Sequence, residues 1–497
     1  MADTRQTVTK NFFWRFLERC GAQLVAFIVS LILSRILEPR LYGTVALISA
    51  ITTILSVFID SGLGTALIQK KDSDTLDFSS VFYFNVAMCI FLYAVMFFLA
   101  PFIASFYGDE SLRPLIRVQS LTLIISGVKN IQVAYVSKNL IFKKFFFATL
   151  AGTIIAAVIG ITMALNGFGA WALVIQGLVN NFIDTVILWI TVKWKPTKEF
   201  SFKRLKSLLN YGWKLLCSAF LDTVYNKLRQ LVIGKKYTAQ DLSFYDKGDH
   251  FPSFIVQNIN TSIDSVLLPA MSKEQNDKER VKQMTRKSIK ISTYIMMPMM
   301  MGLAVCAEPI IKLILTDKWL PCVFFLRCFC FTYAFYPIHS ANLNAIKSLG
   351  RSDLFLILEI IKKAVGISIL LITMWISVKA IALGLIVTSI LSQIINSWPN
   401  KKLLNYSYLE QLKDIIPQIL LSLFMGACVY ALSYIPLNYV ILLVIQILSG
   451  IIIYILGSKI TKIDCYQYLL NTIKEIVQKK FKKNKVSDEG ETEKSSN

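Results

Sequence analysis

The sequence predicts an all-α polytopic membrane protein of about 14 transmembrane helices. Three observations predict it. Of its 497 residues, 55% are hydrophobic and only 17% charged, where a soluble domain carries about 25% charged residues. The mean hydropathy is +0.56. Apolar runs of about 20 residues, the length that crosses a hydrocarbon core, fill nearly the whole chain. In lipid each backbone group must be satisfied within its own segment, which helices achieve. The runs are too long and continuous for the alternating strands of a β-barrel.

Taken in order, the expected segments are 12–37, 41–68, 79–106, 114–136, 146–165, 169–192, 208–233, 243–270, 289–315, 320–345, 354–377, 380–399, 414–434 and 438–458. The first two form a hairpin. Its turn is Glu38-Pro39-Arg40, and Lys70 and Lys71 close it. Pro39 lacks the backbone donor that a helix interior needs. No small-residue cleavage site follows the first run, so it is read as a retained helix and not as a signal peptide. A weaker echo of the hairpin follows about 200 residues later, with Tyr237–Leu242 as the turn between 208–233 and 243–270. A recurring hairpin suggests two halves built on one plan, common in transporters.

The loops fall into two alternating sets. Most of the 53 lysine and arginine residues lie in the set holding the N-terminus, the loops near 69–78, 137–146, 193–207, 271–288, 346–353 and 400–413, and the tail. That places this set, and both termini, in the cytoplasm. The same bias accounts for the net charge of +22 without nucleic acid, for which no binding motif is present. The basic stretches 193–206 and 273–290 also suit anionic membrane lipids. The tail, 459–497, reads as a basic surface helix followed by a polar end. Nine cysteines and two histidines give no metal-ligand spacing, and no phosphate-binding GxxxxGK[ST] loop occurs. No metal, cofactor or catalytic centre is expected.

Ionisable residues at membrane depth are costly and face a cavity or a partner. Arg15, Glu18 and Arg19 share one face of the first segment; Arg15 and Arg19 could equally snorkel to head groups. The seventh carries Lys214, Asp222, Lys227 and Arg229, with Asp222 and Arg229 two turns apart on one stripe. A cavity richer in cations than anions suits an anionic substrate, and a guanidinium suits phosphate in particular. Asp60, Asp222 and Asp264 are candidates to bind a coupling proton or cation, with helix capping beside glycine as the alternative for Asp60 and Asp264. Lys129, Asp184, Arg117 and Arg327 also lie within segments. Glu308 and Lys312, four residues apart, can pair, and Lys362 and Lys363 suit an interface. Gly62, Gly64 and Pro298 are positions where helices can bend or break.

The chain resembles the polysaccharide flippases of the multidrug/oligosaccharidyl-lipid/polysaccharide exporter superfamily, in particular those exporting O-antigen, colanic-acid and teichuronic-acid repeat units. The resemblance is carried by Arg35–Pro39 with Leu41-Tyr42-Gly43, Asp60–Leu63, Ala66–Lys71, Phe142-Lys143, Gly167–Gln176, Leu209–Gly212, Ile233–Lys235 and Leu268–Ser272. Leu242-Ser243 departs from the glycine common at the second turn. The resemblance implies two six-helix lobes around a central cavity (1–192 and 208–399, joined by a cytoplasmic linker, 193–207) plus two further helices (400–458). It implies a bacterial plasma-membrane flippase that moves an undecaprenyl-diphosphate-linked oligosaccharide by alternating access. Arg15, Arg19, Lys214, Lys227 and Arg229 are then the candidates to receive the diphosphate, and a polysaccharide polymerase is an expected partner. A drug/cation antiporter would favour a carboxylate-rich cavity. A polymerase or ligase would need a large outward loop, and every outward loop here is short.

Overall fold

The structure, a computed structural model, describes residues 21, 23–60, 62–70, 72–139, 141, 143–471 and 474–475. Arg15 and Arg19 lie outside the described residues, and Asp60 is described in its backbone alone. All regular secondary structure among the described residues is helical.

Among the described residues the α-helices follow one another as α1 (Gln23–Ile36), α2 (Pro39–Asp60), α3 (Leu63–Gln69), α4 (Thr75–Tyr107), α5 (Leu112–Gln119), α6 (Leu121–Lys138), α7 (Lys143–Leu165), α8 (Ala170–Thr191), α9 (Phe202–Lys236), α10 (Ala239–Lys273), α11 (Lys278–Val305), α12 (Ala307–Ile314), α13 (Cys322–Ala334), α14 (Tyr336–Ser348), α15 (Ser352–Thr373), α16 (Val378–Leu403), α17 (Tyr408–Ala431) and α18 (Tyr439–Ile460). Among the described residues, nine helical stretches are long and apolar enough to cross a membrane on those grounds alone. Helices α6, α9, α10 and α15, which the 14-segment reading also counts, are not among them. Each of them carries ionisable residues within its length: Lys129 on α6, Arg229 on α9, Asp264 on α10 and Glu359 on α15.

The chain divides into two compact units. The first holds the described residues up to Lys247 together with Ile314–Trp319 and Ile372–Ile381. The second holds Gly248–Leu313, Leu320–Leu371 and the described residues from Ala382 onward.

In the first unit Pro39 is the first residue of α2, where a missing N–H costs nothing. The second expected segment is interrupted: α2 stops at Asp60 and α3 starts at Leu63, with Gly62 between them at φ +105°. Helix α9 runs antiparallel to α2, and small residues mark the crossing. A Cβ at Gly43 would lie 1.5 Å from the Ala239 carbonyl oxygen, and one at Gly62 2.5 Å from that of Gly212. Between these ends a Cβ at Gly234 would meet Leu47 at 2.8 Å, and Phe58 meets Phe220 with ring centroids 5.3 Å apart. Close backbone approach through glycine is how helices associate where the hydrophobic effect is weak. It also brings Gly43, just beyond the first expected turn, against Ala239 of the second expected turn, Tyr237–Leu242. Helices α7 and α8 cross in the same way at Gly152 and Gly160.

The short segment Ile314–Trp319 closes the C-terminal end of α1. Lys318 Nζ donates to the carbonyls of Arg35 (2.7 Å) and Leu37 (2.8 Å), and Trp319 Nε1 to that of Ser34 (2.9 Å). These are carbonyls that a helix end leaves without an internal partner, and a cation there suits the helix dipole. Trp319 is fully buried, edge-on to Tyr42 at 5.4 Å. Desolvation holds the Lys318 ammonium below its ordinary pKa. At the opposite end of the unit, Asp74 caps α4 through a reciprocal pair with Asp77. The hydrogen bond from Arg204 holds the Asp74 carboxyl below its usual range.

In the second unit α11, α17 and α18 pack through Gly426 against Met301 and Gly457 against Leu421. Pro298 was expected to break its segment, yet α11 runs through it without interruption. A proline removes the hydrogen bond to the carbonyl four residues earlier, here Tyr294. The hydroxyl of Tyr454 donates to that carbonyl at 2.9 Å, and Tyr294 in turn donates to Ser458 Oγ at 2.9 Å. A neighbouring helix thus satisfies the freed group, as a membrane interior requires. A fully buried amide network joins α14, α16 and α17: Asn342 donates to Gln411 (2.8 Å), Gln411 to Asn342 (3.0 Å), and Asn400 to Asn342 (2.6 Å).

Candidate functional site

Most of the ionisable residues expected inside the bundle have found a partner. Lys129 on α6 and Asp184 on α8 pair at 2.6 Å. Glu308 and Lys312 pair at 3.1 Å, as their spacing predicts, and Lys312 also reaches the Tyr439 hydroxyl at 2.8 Å. Glu359 and Lys362 pair at 2.5 Å. Arg117 donates to the Phe97 carbonyl at 3.3 Å and lies over the Phe97 ring, and Arg327 donates to the Ala304 carbonyl at 3.1 Å.

Helix α9 is different. Ser201 caps its start, and the glycine crossing with α2 fixes its position. Its exposure changes along its length. Trp213, Lys214, Leu215, Leu221 and Asp222 are exposed, whereas Arg229 is only 8% exposed. Asp222 and Arg229 do share a stripe by spacing, but the stripe passes from an open to a covered environment. Asn226 donates to the Asp222 carboxylate at 3.2 Å. Lys214 and the half-buried Lys227 form no hydrogen bond or ion pair with any described residue. Arg229 likewise has no hydrogen bond or ion pair among the described residues, and its guanidinium sits 5.4 Å from the centre of the Tyr225 ring. A buried cation without a counter-charge is expensive unless another group supplies the missing negative charge.

Asp264 on α10 is held by neutral donors. Asn260 and Asn344 donate to it at 2.9 and 2.7 Å, and Ser340 also donates. It forms no ion pair among the described residues. Of the eight expected site residues, the structure thus places Lys214, Asp222, Lys227 and Arg229 on one helix of the first unit, and Asp264 in the second unit. The side chains of Arg15, Arg19 and Asp60 lie outside the described residues.

One buried cation escaped the sequence reading. Lys247 is only 9% exposed. It donates to Ser30 Oγ at 2.9 Å and lies 4.5 Å from the Tyr42 ring and 5.5 Å from the Trp319 ring. The available signal was the run Asp246-Lys247-Gly248-Asp249-His250 inside an otherwise apolar segment. The nearby Gln230–Asp246 hydrogen bond ties α9 to α10.

Among the described residues the protein is all-helical, with nine stretches long and apolar enough to cross a membrane and a buried guanidinium that forms no ion pair. The fold matches two solved transporters. Against Lipid II flippase MurJ in an inward closed conformation, the TM-score is 0.75 at 18% identity, covering 92% of this chain and 99% of that one. Against an inward-facing multidrug resistance MATE family transporter of the MOP superfamily, it is 0.60 at 13% identity, covering 77% and 95%. Residues 32–324 match the family described as "Polysaccharide biosynthesis protein", and the chain belongs to that family. It is 26% identical to "Succinoglycan biosynthesis transport protein ExoT" of Rhizobium meliloti over 63% of this chain and 64% of that protein, so it spans just under two thirds of that relative. It is 22% identical to "Lipopolysaccharide biosynthesis protein WzxC" of Escherichia coli over 74% of each. It is 21% identical to "Teichuronic acid biosynthesis protein TuaB" of Bacillus subtilis over 61% of this chain and 63% of that one.

Proposed function

We propose that this protein is a flippase that moves a polyprenyl-diphosphate-linked oligosaccharide repeat unit across the bacterial plasma membrane for surface polysaccharide assembly. The observation that carries this reading is Arg229, buried on α9 with no counter-charge among the described residues and flanked by Lys227. The diphosphate supplies the missing negative charge, and a guanidinium binds it through paired, charge-assisted hydrogen bonds. Arg15, Arg19 and Lys214 belong to the same cationic set in this reading. The sugars occupy the hydrated interior and the polyprenyl tail stays in lipid. Translocation by alternating access breaks no covalent bond, so no catalytic group is called for. Two six-helix lobes, 1–192 and 208–399, joined by the linker 193–207, with helices 400–458 and tail 459–497 beyond them, are the organisation this mechanism assumes. Both termini face the cytoplasm, and a polymerase takes the unit on the far side. The relatives named for succinoglycan, lipopolysaccharide and teichuronic acid support this reading.

A drug/cation antiporter of the same architecture is the alternative, and the MATE neighbours suit it. The buried Arg229 argues against it, because an uncompensated guanidinium repels a cationic drug. The test is a strain lacking the protein, with its lipids extracted and weighed. Accumulation of a complete carrier-linked repeat unit, relieved by the wild-type gene and not by Arg229→Ala at equal membrane abundance, is the expected result. Unchanged lipids with altered drug sensitivity would overturn it.

A further inference from the structure

We propose that α11 and the segment following α18 form a binding site for the head group of an anionic glycerophospholipid. The site lies wholly within the second unit, and it does not rest on the flippase reading. It is a hollow of about 360 Å³ with Gln283, Arg286, Lys287 and Lys290 of α11 on its polar side. Ile291 and Cys465 add an apolar side, and Asp464 and Tyr468 complete the lining. Asp464, Cys465 and Tyr468 belong to a helical stretch that begins at Asp464, just beyond the end of α18.

The cations are held in place by the fold. The buried Asp414 of α17 accepts from Arg286 Nε at 2.7 Å and from its Nη2 at 2.6 Å. The Tyr406 hydroxyl donates to the same carboxylate at 2.7 Å. This fork takes two of the five guanidinium N–H groups, and the Arg286 side chain stays 51% exposed. Lys290 Nζ lies 3.6 Å from Asp414 and 4.0 Å from Asp464. Lys287 forms no hydrogen bond or ion pair with a described residue. Its Nζ stands over the Tyr468 ring, 3.8 Å from the centre, an attraction that keeps a cation in place without cancelling its charge. Three cations thus meet two carboxylates, and one positive charge remains. A phosphodiester, with a single negative charge, balances it, and charge-assisted donors bind it well.

The surroundings select a lipid over a soluble anion. Helix α18 leaves Leu448, Ile452, Ile455, Leu456 and Ile460 exposed, an apolar face that acyl chains cover in a spanning helix. That face ends at Ile460, and the residues lining the hollow follow within two helical turns. The hollow therefore lies at head-group level, where lysine and tyrosine side chains meet the membrane surface. A basic pocket between helices at this level is the form of site that anionic head groups occupy. Its apolar side is firm: Cys465 and Ile291 pack into one cluster with Tyr294, Leu421 and Tyr454. A free phosphate has no use for that side, whereas the glycerol ester region of a phospholipid covers it. Occupancy bridges α11 to the segment that leads into the basic tail.

The test uses the purified full-length protein in uncharged detergent, titrated with phosphatidylglycerol or phosphatidylcholine. Lipid retention is read by native mass spectrometry and stability by thermal unfolding. The expected result is saturable retention of phosphatidylglycerol, with stabilisation that phosphatidylcholine does not reproduce. Lys287→Glu should weaken retention by about tenfold or more, because it places a like charge against the phosphate. Tyr468→Leu, which removes the ring beside Lys287, should weaken it less. Lys273→Gln should leave it unchanged, since Lys273 lines a neighbouring hollow and not this one. Arg286 is kept in every variant, because its loss would strand the buried Asp414. Lys287 and Tyr468 are exposed, so both variants should fold. Equal retention of the two lipids, or unchanged retention in Lys287→Glu, would overturn the site. Displacement of phosphatidylglycerol by inorganic phosphate at equal concentration would overturn the lipid assignment in favour of a soluble anion.

Discussion

The buried Arg229 of α9 and the half-buried Asp264 of α10 are handled in opposite ways. Arg229 in the first unit forms no hydrogen bond or ion pair among the described residues, and its guanidinium lies near the Tyr225 ring. Asp264 in the second unit is enclosed by three neutral donors. Neither has a counter-charge among the described residues, unlike Lys129 with Asp184 in the first unit or Glu359 with Lys362 in the second. A pair within the bundle is already satisfied and asks nothing of a ligand. A buried charge with no partner among the described residues stands against a desolvation penalty of several kcal/mol, and in the proposed reading it marks where an external ion is received. In the proposed reading the sign then names the ion: a covered guanidinium suits a multivalent phosphoanion.

The sharpest way to break this contrast is to reverse the sign at Arg229. Arg229→Glu is expected to reduce export by at least a hundredfold, and Arg229→Lys to retain part of it, measured as accumulated carrier-linked sugar at equal protein abundance. An export-competent Arg229→Glu would show that the buried guanidinium serves packing alone. The satisfied pair should fail differently. Asp184→Asn strands Lys129 in the bundle and is expected to cost about 3–5 kcal/mol of stability, whereas replacing both by apolar residues of similar size should recover most of it. Thermal unfolding of the purified variants reads this, and a double replacement as unstable as Asp184→Asn would mean the pair does more than balance charge. Trp319→Ala removes a fully buried ring that fills the end of α1 and caps Ser34, and large-to-small changes of this kind cost about 3–5 kcal/mol.

Much of this was legible in the sequence, and the residues show why. Helix positions followed from hydropathy, because lipid forces every backbone group into a helix. The turn at Glu38–Arg40, the interruption near Gly62 and the pairing of Glu308 with Lys312 follow from local chemistry and spacing. Pro298 misled because its cost is local while its remedy, the Tyr454 hydroxyl, comes from a helix about 160 residues away in sequence. Lys247 was hidden for a related reason, since Ser30, Tyr42 and Trp319 converge on it only after folding. On α9, spacing put Asp222 and Arg229 on one stripe. It could not report that one end is exposed and the other covered, because burial is a property of the neighbours. For Asp264, the carboxylate was visible in the sequence, but its three neutral donors come from α14 and from the preceding turn of α10.

The smallest expected effect marks the boundary of the comparison. Glu308 and Lys312 also pair inside the sequence, yet they sit on the short helix α12, and the Glu308 side chain is 51% exposed. Solvent screens such a pair, and exposed ion pairs contribute about 0–1 kcal/mol. A double-mutant cycle with Glu308→Gln and Lys312→Met is therefore expected to give a coupling energy below about 1 kcal/mol, with export unchanged. The same cycle across Lys129 and Asp184 should give a larger value, because Asp184 is buried and the side chain of Lys129 only 24% exposed. If the two couplings came out equal, exposure would not be what separates a surface pair from a bundle pair. The reading of Arg229, that burial without a counter-charge marks a ligand, would then lose its physical basis.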